Sequence, residues 1–257
     1  MDSSNLPTAQ IDIIRYLYRF RFLTSHQISQ LLNHKTIRLT NYHLKILSSK
    51  NYIGKHYSRS LSLANQPATY FLSSRSINLL QSLEKIDKRA LRRIYREKMR
   101  SQAFIDRSLF MANYYLFLRD ESIRTNHTLH FFTKTDLLAH SYVIHPLSDA
   151  YFAYVGKDGE TKRYFVELVD DSSPRFALRR RIDQYDEYIE DGKFEEATSH
   201  PFPKILFICP GYASLIYLKK HLEQIYDETS LDETEIYLAT QEEAFQGKWE
   251  QIKAEDE

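Results

Sequence analysis

Cysteine is almost missing. The 257 residues hold one, Cys209, which excludes an intramolecular disulfide and any cysteine-based zinc centre. It lies in the apolar run Ile205–Cys209 and is expected as a buried core thiol. Glycine (6) and proline (7) are also few. That argues against a long disordered region, a collagen-like stretch and a glycine-rich phosphate loop. No apolar run approaches the ~20 residues needed to span a bilayer. Met1–Thr8 shows no basic segment leading into an apolar stretch, so no signal peptide is visible and a cytoplasmic location is the default expectation. The ten histidines are scattered, and no H-E-x-x-H, G-x-S-x-G, P-loop or kinase signature occurs. The 19 tyrosines invite a tyrosine-nucleophile reading, but no histidine cluster accompanies any of them and most sit at core spacing.

Charge is plentiful and segregated. Residues 1–134 hold 22 Lys and Arg against 8 Asp and Glu, a net of +14. Residues 135–257 hold 13 against 26, a net of −13, so the overall +1 conceals the polarity. Basic side chains that neutralise phosphates release condensed counterions, which makes nucleic acid the first candidate partner of the N-terminal half. The alternative is that basic and acidic elements merely solvate one another.

Thr8–Phe22 carries Ile11, Ile13, Ile14, Leu17, Tyr18 and Phe22 near helical spacing. Thr24 or Ser25 then reads as the N-cap of a short helix, His26–Leu32. A third helix is expected over Lys35–Lys50, with Leu39, Tyr42 and Ile46 sharing an inner face. Its outer face would present Thr36, Arg38, Asn41, His43 and Lys45. Strands are expected from Tyr52 to Tyr57 and from Ala68 to Leu72, joined by a polar turn through Ala64–Pro67. Three short helices and a hairpin make a winged helix-turn-helix, whose third helix enters the major groove. Thr36, Arg38, Asn41 and Lys45 would be the DNA readers, with Arg59 near a hairpin tip that lies against a phosphate strand or the minor groove. A winged helix used for protein contact is the competing reading.

Ile77–Leu83 reads as a helix, and Lys85–Arg100 as a basic one with an apolar seam at Leu91, Ile94, Tyr95 and Met99. The pattern continues through Phe117. This connector either tracks the DNA backbone or bridges domains or a dimer. No Gly/Ser/Pro linker interrupts it. From Leu129 the period becomes β-like. Strands are expected at Leu129–Thr133, Ala150–Val155, Arg163–Val169, Ile205–Cys209 and Glu235–Ala239. Helices are expected at Phe176–Ile189 and Ala213–Tyr226, giving a mixed sheet flanked by helices. Asp149 opens one hairpin strand and Glu167 nearly closes its partner. Two carboxylates brought to one sheet end suit a hard cation such as Mg²⁺, which can activate water in phosphodiester cleavage. Surface solvation is the competing reading. Asp170 and Asp171 would add a ligand or cap the next helix, with capping preferred.

His145–Phe152, then Tyr164–Leu168, then Arg181 with Tyr185 and Tyr188, resemble the replication-relaxation family of plasmids and other mobile elements. The resemblance covers roughly Ile11 to Phe245. It implies an N-terminal winged helix and a domain similar to the PD-(D/E)xK endonuclease fold. The motif's Asp is Asp149, with the Pro displaced to Pro146, and its acid is Glu167. Its Lys would fall at Val169, and Arg181 stands where relatives often place a Lys. Arg stays charged and handles protons poorly. Gln184 and Tyr188 form a Q-x-x-x-Y pattern similar to the RecB-type branch.

The expected architecture is therefore α/β (α+β): a winged helix over 8–84, a helical connector over 85–125 and an endonuclease-like domain over 126–245. The expected function is a sequence-directed double-stranded DNA-binding protein of a mobile element, acting in replication, transfer or transcription control, on a degraded nuclease frame. Its further partners would be a replication or transfer protein, or a second copy of the chain. No cofactor is assigned apart from the Mg²⁺ of the alternative that follows, and no membrane is expected. The alternative is an Mg²⁺-dependent endonuclease using Asp149 and Glu167 as ligands, assisted by Arg181 and Gln184. A protein-interaction adaptor is the third reading.

Overall fold

The structure, a computed structural model, describes residues 6–56, 68–84, 86, 88–172 and 174–253, without the side chains of residues 88 and 89. Two compact units divide the chain at Leu116/Phe117.

The first unit begins with α1 (Thr8–Phe20), which buries Gln10, Ile13, Ile14, Leu17 and Phe20. Arg21 adopts a left-handed backbone, φ 72°, and turns the chain into the two-residue strand β1 (Leu23–Thr24). Thr24 caps α2 (Ser25–Leu31) through a capping box with Gln27. Its hydroxyl accepts from the Gln27 amide at 3.2 Å, and the Gln27 carboxamide oxygen accepts from the Thr24 amide at 2.9 Å. This satisfies two donors that a helix start otherwise leaves orphaned. After Asn33, also left-handed, comes α3 (Ile37–Ser49). Strands β2 (Ile53–His56) and β3 (Thr69–Leu72) follow, and the antiparallel sheet has the order β1-β3-β2. Gly54 faces Phe71 across the ladder. A Cβ there would lie 2.4 Å from the Phe71 ring, so the absence of a side chain lets that ring cross the strand toward Phe22 and Ile105. Tyr57, Arg59 and the turn Ala64–Pro67 lie outside the described residues.

Then come α4 (Arg75–Glu84), α5 (Lys88–Leu91), a 3₁₀ segment over Arg92–Met99, and α6 (Gln102–Thr125). The 3₁₀ segment corrects the expected seam. Leu91, Ile94 and Glu97 are buried, three residues apart, as a three-residue turn requires. Tyr95 is 65% exposed and Met99 82%. Arg21 donates to Glu97 Oε1 through Nε at 2.9 Å and Nη2 at 2.6 Å. Arg21 and Arg100 both sit over the Phe104 ring, at 4.4 and 4.8 Å.

The second unit is built on β4 (Thr128–Thr133), α7 (Lys134–Leu137), β5 (Ala150–Val155) and β6 (Thr161–Leu168). Helices α8 (Arg175–Glu190) and α9 (Lys193–Thr198) precede β7 (Lys204–Cys209). The chain continues through α10 (Tyr212–Ile225), β8 (Ile236–Thr240), α11 (Gln241–Ala244) and β9 (Glu250–Gln251). The six strands run in sequence order. β4, β5 and β6 are antiparallel, β6, β7 and β8 parallel, and β9 closes antiparallel. The expected mixed sheet is observed, extended by β9. Its core joins Phe165, Ile205, Phe207 and Leu238 to Ile182, Tyr185 and Ile189 of α8 and Leu215, Leu218 and Leu222 of α10. Cys209 is fully buried in that core. Among the described residues no helix is long and apolar enough to cross a membrane.

Candidate functional site

Two regions carry candidate chemistry, one in each unit. In the first, α3 buries Thr40, Leu44 and Leu47. The sequence reading put Leu39 and Tyr42 inward; they are 44% and 60% exposed. The helix is rotated because Thr40 takes an inner place, its hydroxyl bonded to His34 Nδ1 at 2.8 Å. Gln10 of α1 meets His43 Nδ1 at 3.5 Å, with the His43 ring half-buried. The outward stripe is Arg38, Asn41, Tyr42 and Lys45, spaced i, i+3, i+4, i+7. All four are exposed, and Thr36 stands exposed at the N-cap. Tyr42, which hydrophobicity alone had assigned to the core, joins this exposed face.

In the second unit Ala150 pairs with Val166, and the Asp149 amide donates to Val166 O at 3.0 Å. The register thus sets Asp149 opposite Glu167 on one face. Both are 7% exposed. Asp149 Oδ2 accepts from the Leu168 amide at 2.8 Å, and Lys134 Nζ lies 3.9 Å from Oδ1. On α8, Arg181, Gln184, Tyr185 and Tyr188 share the face toward the sheet. Arg181 Nη2 donates to Glu167 Oε1 at 2.5 Å, and the Tyr185 hydroxyl donates to the same oxygen at 2.7 Å. Arg181 Nη1 also donates to Gln184 Oε1 at 3.3 Å, and its guanidinium covers the Tyr185 ring at 4.7 Å. Burial pushes the Glu167 carboxyl above the usual carboxylate range, Arg181 pulls against this, and Asp149 adds to it. Burial, then the Glu167 charge, hold the Tyr185 phenol protonated. For Arg181 burial opposes the charge, and Glu167 more than offsets it.

The donor set does not fit a divalent cation as it stands. Hard cations want several open oxygen ligands, and each carboxylate here is engaged by protein donors. No group of three His, Cys, Asp or Glu able to hold a metal occurs among the described residues. Val169 packs on the core where a motif lysine would stand. Asp170 accepts from the Ser172 amide and hydroxyl at 2.8 and 2.6 Å, so it closes its own turn. The cap of α8 is Pro174, which corrects the expected capping by Asp170 or Asp171. Sequence reading brought Asp149, Glu167, Arg181 and Gln184 together. It missed Lys134, the Leu168 amide and the hydroxyl of Tyr185, although Tyr185 follows Arg181 by one helical turn.

A family model described as replication-relaxation matches residues 14–205. The chain belongs to the replication-relaxation family. No curated protein and no solved structure gives a significant match. Membership suggests a replication-related role on a mobile element. The matched span of this replication-relaxation protein includes both α3 and the Asp149–Glu167–Arg181 cluster.

Proposed function

We infer that this chain is a sequence-directed double-stranded DNA-binding protein of a plasmid or other mobile element, acting in replication, transfer or transcription control. Residues 8–84 serve as a winged helix, 85–125 as a connector, and 126–245 as a nuclease-like frame without catalysis. The cytoplasm is the compartment where such a protein meets DNA. The observation that carries the reading is the α3 stripe. Arg38, Asn41 and Lys45 project from one helix face, and Arg and Asn are the side chains that pair bidentately with guanine and adenine. Lys45 supplies phosphate attraction, and Thr36 sits at the helix start, the end that commonly meets base edges. Arg59 is assigned to a phosphate strand or the minor groove on sequence alone.

The test is fluorescence anisotropy on sites selected from a random duplex pool. Arg38→Ala should weaken binding by ~1–3 kcal/mol and relax selectivity at one position, and Lys45→Ala should flatten the salt dependence by about one phosphate contact. Unchanged affinity and selectivity in Arg38→Ala would overturn the recognition-helix assignment. The opposed carboxylates favour a second reading, a metal-dependent endonuclease. Cleavage of supercoiled DNA with Mg²⁺ or Mn²⁺, lost with chelator and in Glu167→Ala, would establish it. DNA bound but uncut under every condition would remove it.

A further inference from the structure

A cavity of about 340 Å³ opens on the same sheet face as Glu167, farther along the strands. Its shape follows from the register. The row Phe132–Tyr151–Phe165 runs across β4, β5 and β6, and the next row is His130–Ala153–Arg163. Ala153 is the small residue between two long ones. Neighbouring strands lie ~4.8 Å apart, so His130 and Arg163 stand about two spacings apart with a shallow floor between them. The aromatic row forms one wall, and Tyr142 and Phe194 extend it. Burial raises the Tyr151 phenol, and Arg163 beside it opposes that shift.

Two features make this cavity distinct. All of its lining residues except His130 and Phe132 come from the half of the chain that carries the −13 balance, yet no Asp or Glu lines it. Arg163 is half-buried, and it has no ion pair among the described residues. A guanidinium that has a phenol beside it but no carboxylate, at the edge of an aromatic wall, presents the complement of a flat π-system bearing an anion. Bases stack on Phe and Tyr, and guanidinium binds phosphate with charge-assisted bonds. The volume is at the lower end for small-ligand sites, which suits one nucleotide.

We propose that this cavity binds a single nucleoside 5′-phosphate, base against Tyr151 and Phe132, phosphate between Arg163 and His130. The nucleotide is either free or the 5′-phosphorylated end of a DNA strand. The site belongs to the second unit and does not depend on the duplex-binding reading of α3.

Calorimetry on the full chain tests it. The probes are the four deoxynucleoside 5′-monophosphates, the nucleosides lacking phosphate, inorganic phosphate, and a short oligothymidylate with and without its 5′-phosphate. Monophosphates should bind more tightly than either nucleoside or phosphate alone. Arg163→Gln should weaken them about tenfold to hundredfold, and Ala153→Leu, which fills the floor, should abolish binding. Circular dichroism checks that Ala153→Leu folds, and Arg163→Gln, at a half-exposed position, keeps the test decisive if it does not. Preference for the 5′-phosphorylated strand over the free monophosphate identifies a strand end, and the reverse a free nucleotide. Arg38→Ala should leave all of these values unchanged. The proposal falls if neither phosphorylated probe binds, or if binding survives Arg163→Gln.

Discussion

Replacing Arg181 by Met removes one side of a buried ion pair and leaves a hydrophobic stem of similar length. Side-chain exposure is 14% for Arg181 and 10% for Glu167, so solvent screens the pair little. Breaking such a pair by removing one partner costs about 3–5 kcal/mol, because the remaining charge is stranded. The cost should depend on pH. Glu167 already lies above its ordinary range through burial and Asp149, and without Arg181 it rises further. A carboxyl whose folded pKa exceeds its unfolded value contributes stability that is complete below the unfolded value and lost as pH climbs toward the folded one. Arg181→Met should therefore be far less stable than the parent near pH 7.5 and recover toward pH 5. A carboxyl fully protonated in the folded state across that interval gives a change of about 3 kcal/mol. Urea unfolding followed by circular dichroism at both pH values reads this directly. The double variant Glu167→Gln with Arg181→Met should lose the pH dependence and cost less than the two single changes added. An Arg181→Met protein within ~1 kcal/mol of the parent at both pH values would refute the reasoning.

Glu97→Ala should cost about 3–5 kcal/mol, since it strands Arg21 in the first unit; thermal unfolding measures it, and a loss under ~1 kcal/mol would count against a buried pair. Gly54→Val should destabilise the first unit by more than the ~1 kcal/mol typical of a point change, because its Cβ meets the Phe71 ring; unfolding followed by Phe71 and Phe22 ring resonances tests this. Burial pushes the Cys209 thiol up to about 12, so at mildly alkaline pH a thiol reagent should label it only as fast as the chain opens, and denaturant should accelerate labelling steeply. Prompt labelling of the folded protein would contradict a sealed core.

Much of the fold could be read from periodicity. The strand Ala150–Val155 announced itself by alternation, and Thr24 with Gln27 announced the start of α2. The failures have separate and mostly local causes. The seam over Leu91–Met99 was read with a 3.6-residue period, and the chain there winds with a period of three. The face of α3 was misjudged because Thr40 buries its hydroxyl on His34 while Leu39 and Tyr42 stay outside. β1 and β9 span two residues each, too few for any pattern to register. α9 is six residues between left-handed Gly192 and Ser199. At the candidate site, hairpin register alone opposed Asp149 to Glu167. Helical spacing brought Arg181, Gln184 and Tyr185 to one face. The Leu168 amide and Lys134 are supplied by backbone and by α7, and sequence spacing carries no signal for either. The cavity beside Ala153 depends on three aligned strands and leaves no local trace.

Strand β6 sets Arg163, Phe165 and Glu167 on one face, two residues apart, as cation, ring and anion. A slip of one position in its pairing would turn all three to the opposite face together. The pairing of β6 with β5 and β7 therefore acts as a common clutch for both features. A one-position slip of β6 against β5 would disengage the nucleotide-sized cavity and the Glu167–Arg181 pair in the same step.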